Sequence, residues 1–222
     1  MNFSKNKYNY VNLYFLYNAS VLCYNIAIYR EKAAAKGSIF MSPIQNTKNY
    51  YTIEDFNNLP EDFHTELING TLYRKAMPDR IHQELVGKLS TAIHNYILNK
   101  RNGCSVYMSL GAQLFKDQDI VLIPDLSVIC DERKLNERGC MGAPDWIIEI
   151  VSLSDAAHDY VDKLFFYYNA GVREYWIVDP QRAAVLVYLL EPDHFDVRTY
   201  TFCDTVKAGI FEDLFIDFEV LI

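Results

Sequence analysis

The run Trp146-Ile147-Ile148-Glu149-Ile150-Val151 sets a single carboxylate in the middle of an otherwise apolar, β-branched stretch. Such a stretch reads as a buried strand. An ionised carboxylate inside it is costly to bury unless something pairs with it, so the fold must bring a cation or a donor to Glu149. A second acid stands upstream: Asp125 follows Pro124 and opens the apolar run 126–130, and two adjacent strands would bring Asp125 and Glu149 together. The chain holds four Pro-Asp dipeptides, at 78–79, 124–125, 144–145 and 192–193, so the dipeptide alone is uninformative. Context separates them. Pro78-Asp79 begins a helix, Pro144-Asp145 leads into a strand and Pro192-Asp193 sits between strands, all ordinary structural uses. A hard cation held by Asp125, Glu149 and the carbonyl of Ile150 would satisfy the buried charge, since magnesium takes oxygen ligands. The alternative is that Glu149 faces solvent on an edge strand or pairs with an arginine.

The surrounding pattern mixes α and β. Thr52 caps a short helix, with acids in its first turn, that runs to about Leu59 before Pro60. Asn69-Gly70 joins two strands, 64–68 and 71–74, as a hairpin. Asp79 caps a long helix to about Lys100 with Leu85, Leu89, Ala92, Ile93 and Tyr96 on one face and Gly103 just beyond. Strands are expected at 105–115, 126–130, 146–151 and 175–178. Between the last two lies a helix with the stripe Val161, Leu164, Phe165 and Tyr168, started by Ser154 or Asp155 and ended by Gly171. Residues 183–190, 195–202 and 214–222 read as antiparallel strands. The fold class is α/β (α+β): a mixed β-sheet flanked by helices.

A chain of 222 residues suits one domain of ordinary size. It carries 21 bases and 29 acids; residues 1–40 hold five of those bases and one acid, which leaves residues 41–222 with 16 and 28, a formal −12. A domain this acidic repels a polyanion at long range, so nucleic-acid binding must rest on a local basic groove, metal ions or a partner. Residues 1–40 are rich in Tyr and Asn and read as an extension, or as a start assigned too early, since Met41-Ser42-Pro43 opens the first ordinary globular sequence. The apolar run 11–29 is interrupted by Asn12, Asn18 and Asn25 and falls short of a spanning helix. Cysteines at 23, 104, 130, 140 and 203 form no CxxC pair, which predicts reduced thiols in a cytoplasmic protein, with Cys104 and Cys130 as small buried side chains. There is no glycine-rich phosphate loop and no GxSxG elbow.

Several ordered pieces together resemble the Uma2-type endonucleases of the PD-(D/E)xK superfamily, across about residues 50–205. They are Glu66-Leu67-Ile68-Asn69-Gly70, Arg80-Ile81-His82-Gln83, residues 121–128 with Pro124-Asp125, Ala143-Pro144-Asp145 through Glu149, and Lys163 through Gly171-Val172-Arg173-Glu174-Tyr175-Trp176-Ile177-Val178-Asp179-Pro180. The resemblance implies a restriction-endonuclease-like core and makes Asp125 and Glu149 metal ligands, with Glu66 a further carboxylate. It also implies Mg²⁺ or Mn²⁺ as cofactor and DNA as substrate. The superfamily's lysine is absent two residues after Glu149, where Val151 stands, and Lys163 on the next helix looks like its migrated replacement. The bland reading of Lys163 is an exposed partner of Asp159. His82, in the first turn of the long helix, is a candidate for contact with phosphate or water. Where the family usually has Ser-Pro after the strand, this chain has Ser152-Leu153-Ser154. The aromatic stretch from Tyr160 to Trp176 is better explained by core packing than by base stacking. Two functions remain: a metal-dependent endodeoxyribonuclease, or a non-catalytic, dimeric nucleic-acid or protein-binding module on the same fold. Exposed terminal strands make a homodimer the expected assembly.

Overall fold

The computed structural model describes residues 48–60, 64–75, 77–152, 162–191 and 194–222. The extension 1–40, the helix start at Ser154 or Asp155, Val161 and the Pro192-Asp193 turn lie outside these residues.

Helix α1 (Ile53–Asn57) begins at Thr52, whose hydroxyl accepts from the Asp55 N–H while the Asp55 carboxylate accepts from the Thr52 N–H. Strands β1 (Thr65–Ile68) and β2 (Thr71–Arg74) form the expected hairpin. Its turn residues Asn69 and Gly70 have φ of 49° and 78°, the left-handed pair that a two-residue turn demands. A Cβ on Gly70 would lie 2.2 Å from the Tyr50 ring, so the position admits nothing larger. Helix α2 (Arg80–Lys100) starts at Asp79, whose carboxylate accepts from the His82 N–H, and buries Leu85, Val86, Leu89, Ile93 and Ile97. Its left-handed terminus is Arg101, at φ 50°, and not Gly103.

The stretch 105–115, expected as one strand, is two. Strand β3 (Ser105–Met108) ends where Ser109 turns left-handed, at φ 52°, and β4 (Ala112–Gln113) enters a different sheet. Then come β5 (Ile120–Leu122), β6 (Leu126–Ile129), a 3₁₀ turn at Glu132–Lys134, β7 (Leu135–Asn136), β8 (Gly139–Met141) and β9 (Trp146–Ile150). They are followed by α3 (Lys163–Ala170), β10 (Glu174–Asp179), β11 (Ala184–Glu191), β12 (His194–Thr201), β13 (Thr205–Lys207) and β14 (Phe215–Asp217). The last segment, expected to stay extended to the end, turns helical as α4 (Phe218–Leu221) because the Asp217 carboxylate accepts from the Val220 N–H and caps it.

Among the described residues one sheet runs β12-β11-β10-β9-β6-β3 and another β2-β1-β5-β4-β8-β7, with β13 and β14 as a separate pair. The first sheet is mixed: β9 and β10 are parallel and its other pairs antiparallel. Side chains alternate across a strand. One face of this sheet, with Leu126, Val128, Trp146, Ile148, Ile150, Trp176 and Val178, packs under α2 together with Phe211 and Phe218. The opposite face carries Glu149. In α3 the inward residues are Lys163, Leu164 and Tyr167, while Phe165 is exposed, so the helix is turned from the expected stripe to point Lys163 and Tyr167 at the sheet.

The expectation of reduced thiols fails for Cys104 and Cys130, while Cys140 and Cys203 are free. Cys104 and Cys130 are joined in a disulfide. Each lies one residue outside the antiparallel pair of β3 and β6, in which Ser105 faces Ile129, so the register sets them opposite each other. Cysteine usage therefore gives no support to a reducing compartment. Among the described residues no helix is long and apolar enough to cross a membrane.

Candidate active site

Leu126 pairs with Ile148 across β6 and β9, and the antiparallel register carried back one residue sets Asp125 opposite Glu149. The two acids come from neighbouring strands, as expected, and both are buried. Glu66 arrives from the other sheet and is fully buried, its Oε1 accepting from the Ile123 N–H at 2.9 Å. From α3 comes Lys163, only 2% exposed. Its Nζ lies 2.9 Å from Glu149 Oε1 and 3.6 Å from Glu66 Oε1, which rules out the surface role beside Asp159. The spacing behind this is helical: Lys163 and Tyr167 are four residues apart on one face, and the Tyr167 hydroxyl donates to the same Glu149 Oε1 at 2.8 Å. Burial pushes the Tyr167 phenol well above its ordinary pKa, and the Glu149 charge adds to that.

Asp125 is held from three sides. Its Oδ2 accepts from the Ile150 N–H at 2.8 Å and lies 3.0 Å from His82 Nε2. Its Oδ1 lies 3.3 Å from Lys75 Nζ, which also donates to the Ile123 carbonyl at 2.6 Å. Burial alone would raise the Asp125 pKa, but Lys75 and His82 outweigh it and hold the carboxyl far below the usual range. The same contact works on its partners. Burial disfavours the charged forms of His82 and Lys75, yet the Asp125 charge raises both pKa values. The Asp79 carboxylate positions His82 by accepting its backbone N–H, which aims the imidazole at Asp125 from the first turn of α2. His82 Nδ1 is buried and has no hydrogen-bond partner.

The fold thus gathers all the candidates: Asp125, Glu149, Glu66, Lys163 and His82, with the backbone of Ile150 against Asp125. Two further residues join them. Tyr167 was legible in principle as the i+4 partner of Lys163. Lys75 was not, because its approach depends on the chain's path just past β2. The other Pro-Asp acid in a described strand region, Asp145, is structural: its carboxylate accepts from the Cys130 N–H.

Among the described residues no three His, Cys, Asp or Glu side chains stand as a ready metal cage. The donor types nevertheless suit a hard divalent cation, since Asp125, Glu149 and Glu66 offer only oxygen. Those oxygens are in contact with the ammonium groups of Lys75 and Lys163, which supply positive charge of the kind a metal would bring, and with His82. Two cavities, of about 680 and 590 Å³, lie elsewhere: both include Asn57, Gln113 and Arg138 in their linings and neither includes a site carboxylate.

The chain belongs to the Uma2 family: the model of that family, described as putative restriction endonuclease, matches residues 53–217, the stretch that holds every site residue named above. A solved structure described as a putative nuclease belonging to DUF820 from Anabaena variabilis has the same fold, with a TM-score of 0.63 at 23% identity, over 77% of this chain and 96% of that one. No curated protein matches the chain.

Proposed function

We propose that this chain is an endonuclease that hydrolyses DNA phosphodiester bonds with Mg²⁺ or Mn²⁺. The observation that carries the proposal is the buried meeting of Glu149, Asp125 and Glu66 with Lys163, in a family whose description is that of a restriction endonuclease. In this reading Asp125, Glu149 and the Ile150 carbonyl hold the cation, and Glu66 adds a carboxylate beside them. Bound there, the cation would activate water and offset charge on the scissile phosphate. Lys163 orients the attacking water and neutralises developing charge from the α3 side. His82, now held by Asp125 through Nε2, would contact phosphate or water from α2 once a cation takes Asp125. A homodimer, for which strand edges such as β12 and β3 with a neighbour on one side only among the described residues offer a pairing surface, completes the proposal. A monomer in sedimentation would remove that last part.

The test is cleavage of supercoiled DNA by the full chain in Mg²⁺ or Mn²⁺. Asp125→Ala and Glu149→Ala variants that remain folded should lose cleavage by about 100-fold or more. Retained cleavage in those variants overturns the assignment. The existing pairing of each carboxylate with lysine or histidine favours a second reading, a non-catalytic binding module. It expects no cleavage by the wild type and unchanged partner binding in both variants.

A further inference from the structure

Lys75 has no role in the chemistry above, yet it makes the closest ammonium contact to Asp125. Its Nζ lies 3.3 Å from Asp125 Oδ1, the oxygen not engaged by the Ile150 N–H and His82. It is held there by the Ile123 carbonyl, while 20% of its side chain remains exposed. The ammonium is thus shared between the Ile123 carbonyl and Asp125, on a long flexible stem.

Charge counting gives the contact its meaning. Asp125, Glu149 and Glu66 against Lys75 and Lys163 leave one net negative charge before any charge on His82 is added. A divalent cation added with Lys75 in place would leave that buried cluster with at least one net positive charge, and uncompensated charge in such a place is unfavourable. A phosphodiester brings one negative charge, which offsets that excess.

We infer that Lys75 is a tethered counter-ion that a divalent cation displaces from Asp125, so that this site loads metal weakly alone and strongly together with a phosphodiester. The inference rests on the metal reading of Asp125 and Glu149. Reciprocity follows: whatever factor the phosphodiester adds to metal affinity, the metal adds to phosphodiester affinity. Removing the Lys75 charge takes one positive charge out of the cluster, so a divalent cation is accommodated with less need of DNA.

The experiment is calorimetric titration of the full 222-residue chain with Mn²⁺. Wild type, K75M and K75R are each measured with and without a short duplex of slowly hydrolysed phosphorothioate linkages. Without DNA, K75M should bind Mn²⁺ about tenfold more tightly than wild type, or better, while K75R stays close to wild type. The duplex should raise the Mn²⁺ affinity of wild type by a larger factor than that of K75M. K75Q, which keeps a donor for the Ile123 carbonyl, replaces K75M if the latter fails to fold. Equal affinity in K75M and wild type, or K75R binding as tightly as K75M, overturns the counter-ion role while leaving the metal site standing. No Mn²⁺ binding by any variant, with duplex or without, overturns the metal reading and this inference with it.

Discussion

Glu149 Oε1 receives both the Lys163 ammonium and the Tyr167 hydroxyl, so each of the three side chains depends on the other two. Glu149→Ala would leave Lys163 buried with Glu66 at 3.6 Å as a remaining carboxylate contact, and breaking a buried pair from one side costs about 3–5 kcal/mol. Glu149→Gln is the gentler probe. Tyr167→Phe removes one charge-assisted hydrogen bond and should cost about 1–2 kcal/mol in urea unfolding. It should also lower kcat with little change in KM for DNA, because Tyr167 acts only through Glu149. A folded Tyr167→Phe variant with wild-type kcat would show that Glu149 needs no such support. The sequence pointed to Glu149 because a carboxylate in an apolar strand demands a partner. It did not point to Lys75, whose position follows from the three-dimensional path of the chain beyond the hairpin.

Two ties hold elements around the site. The Cys104–Cys130 disulfide closes a loop with a sequence separation of 26 that contains Asp125, and reducing it should cost about 3.5 kcal/mol through the entropy of the unfolded chain. Urea midpoints with and without reductant check this, and unchanged midpoints would contradict it. The second tie is Glu174, fully buried at the start of β10. Its carboxylate accepts from Trp176 Nε1 at 2.6 Å and from the Gly209 and Ile210 N–H groups at 2.9 and 2.8 Å, which fastens that loop to the sheet. Burial raises its pKa above the ordinary 4.5, although the hydrogen bonds pull the other way. A raised folded-state pKa means the folded protein holds this proton more tightly than the unfolded one, so its contribution to stability is present at low pH and lost as pH rises through the folded value. The stability of wild type relative to Glu174→Gln should therefore improve as pH falls from 7 toward 4.5. A pH-independent difference would contradict the buried, ionisable role. Neither tie was legible: both depend on strand register and loop contact, which local pattern does not encode.

At the scale of the molecule, the architecture follows from patterns that the sequence shows plainly. The Asn-Gly turn, the capped long helix and the apolar strands at β6, β9 and β10 sit within a residue or two of expectation, because their periodicity and caps are local signals. The break between β3 and β4 and the short strands β5, β7 and β8 escaped it, since two- and three-residue strands carry no period. The formal −12 of residues 41–222 has a further consequence. DNA should bind weakly in EDTA and more strongly with Ca²⁺, a hard cation in place of Mg²⁺, as gel mobility shifts will show. Equal binding in both would locate a basic groove away from the carboxylates.

The most direct measurement is anomalous diffraction from crystals of the full chain grown with Mn²⁺ and a DNA duplex. The account predicts a manganese peak within about 2.0–2.2 Å of oxygens from both Asp125 and Glu149, with Lys75 moved off Asp125. A site without manganese, in which Lys75 and Lys163 still contact the carboxylates while DNA is bound, would contradict it.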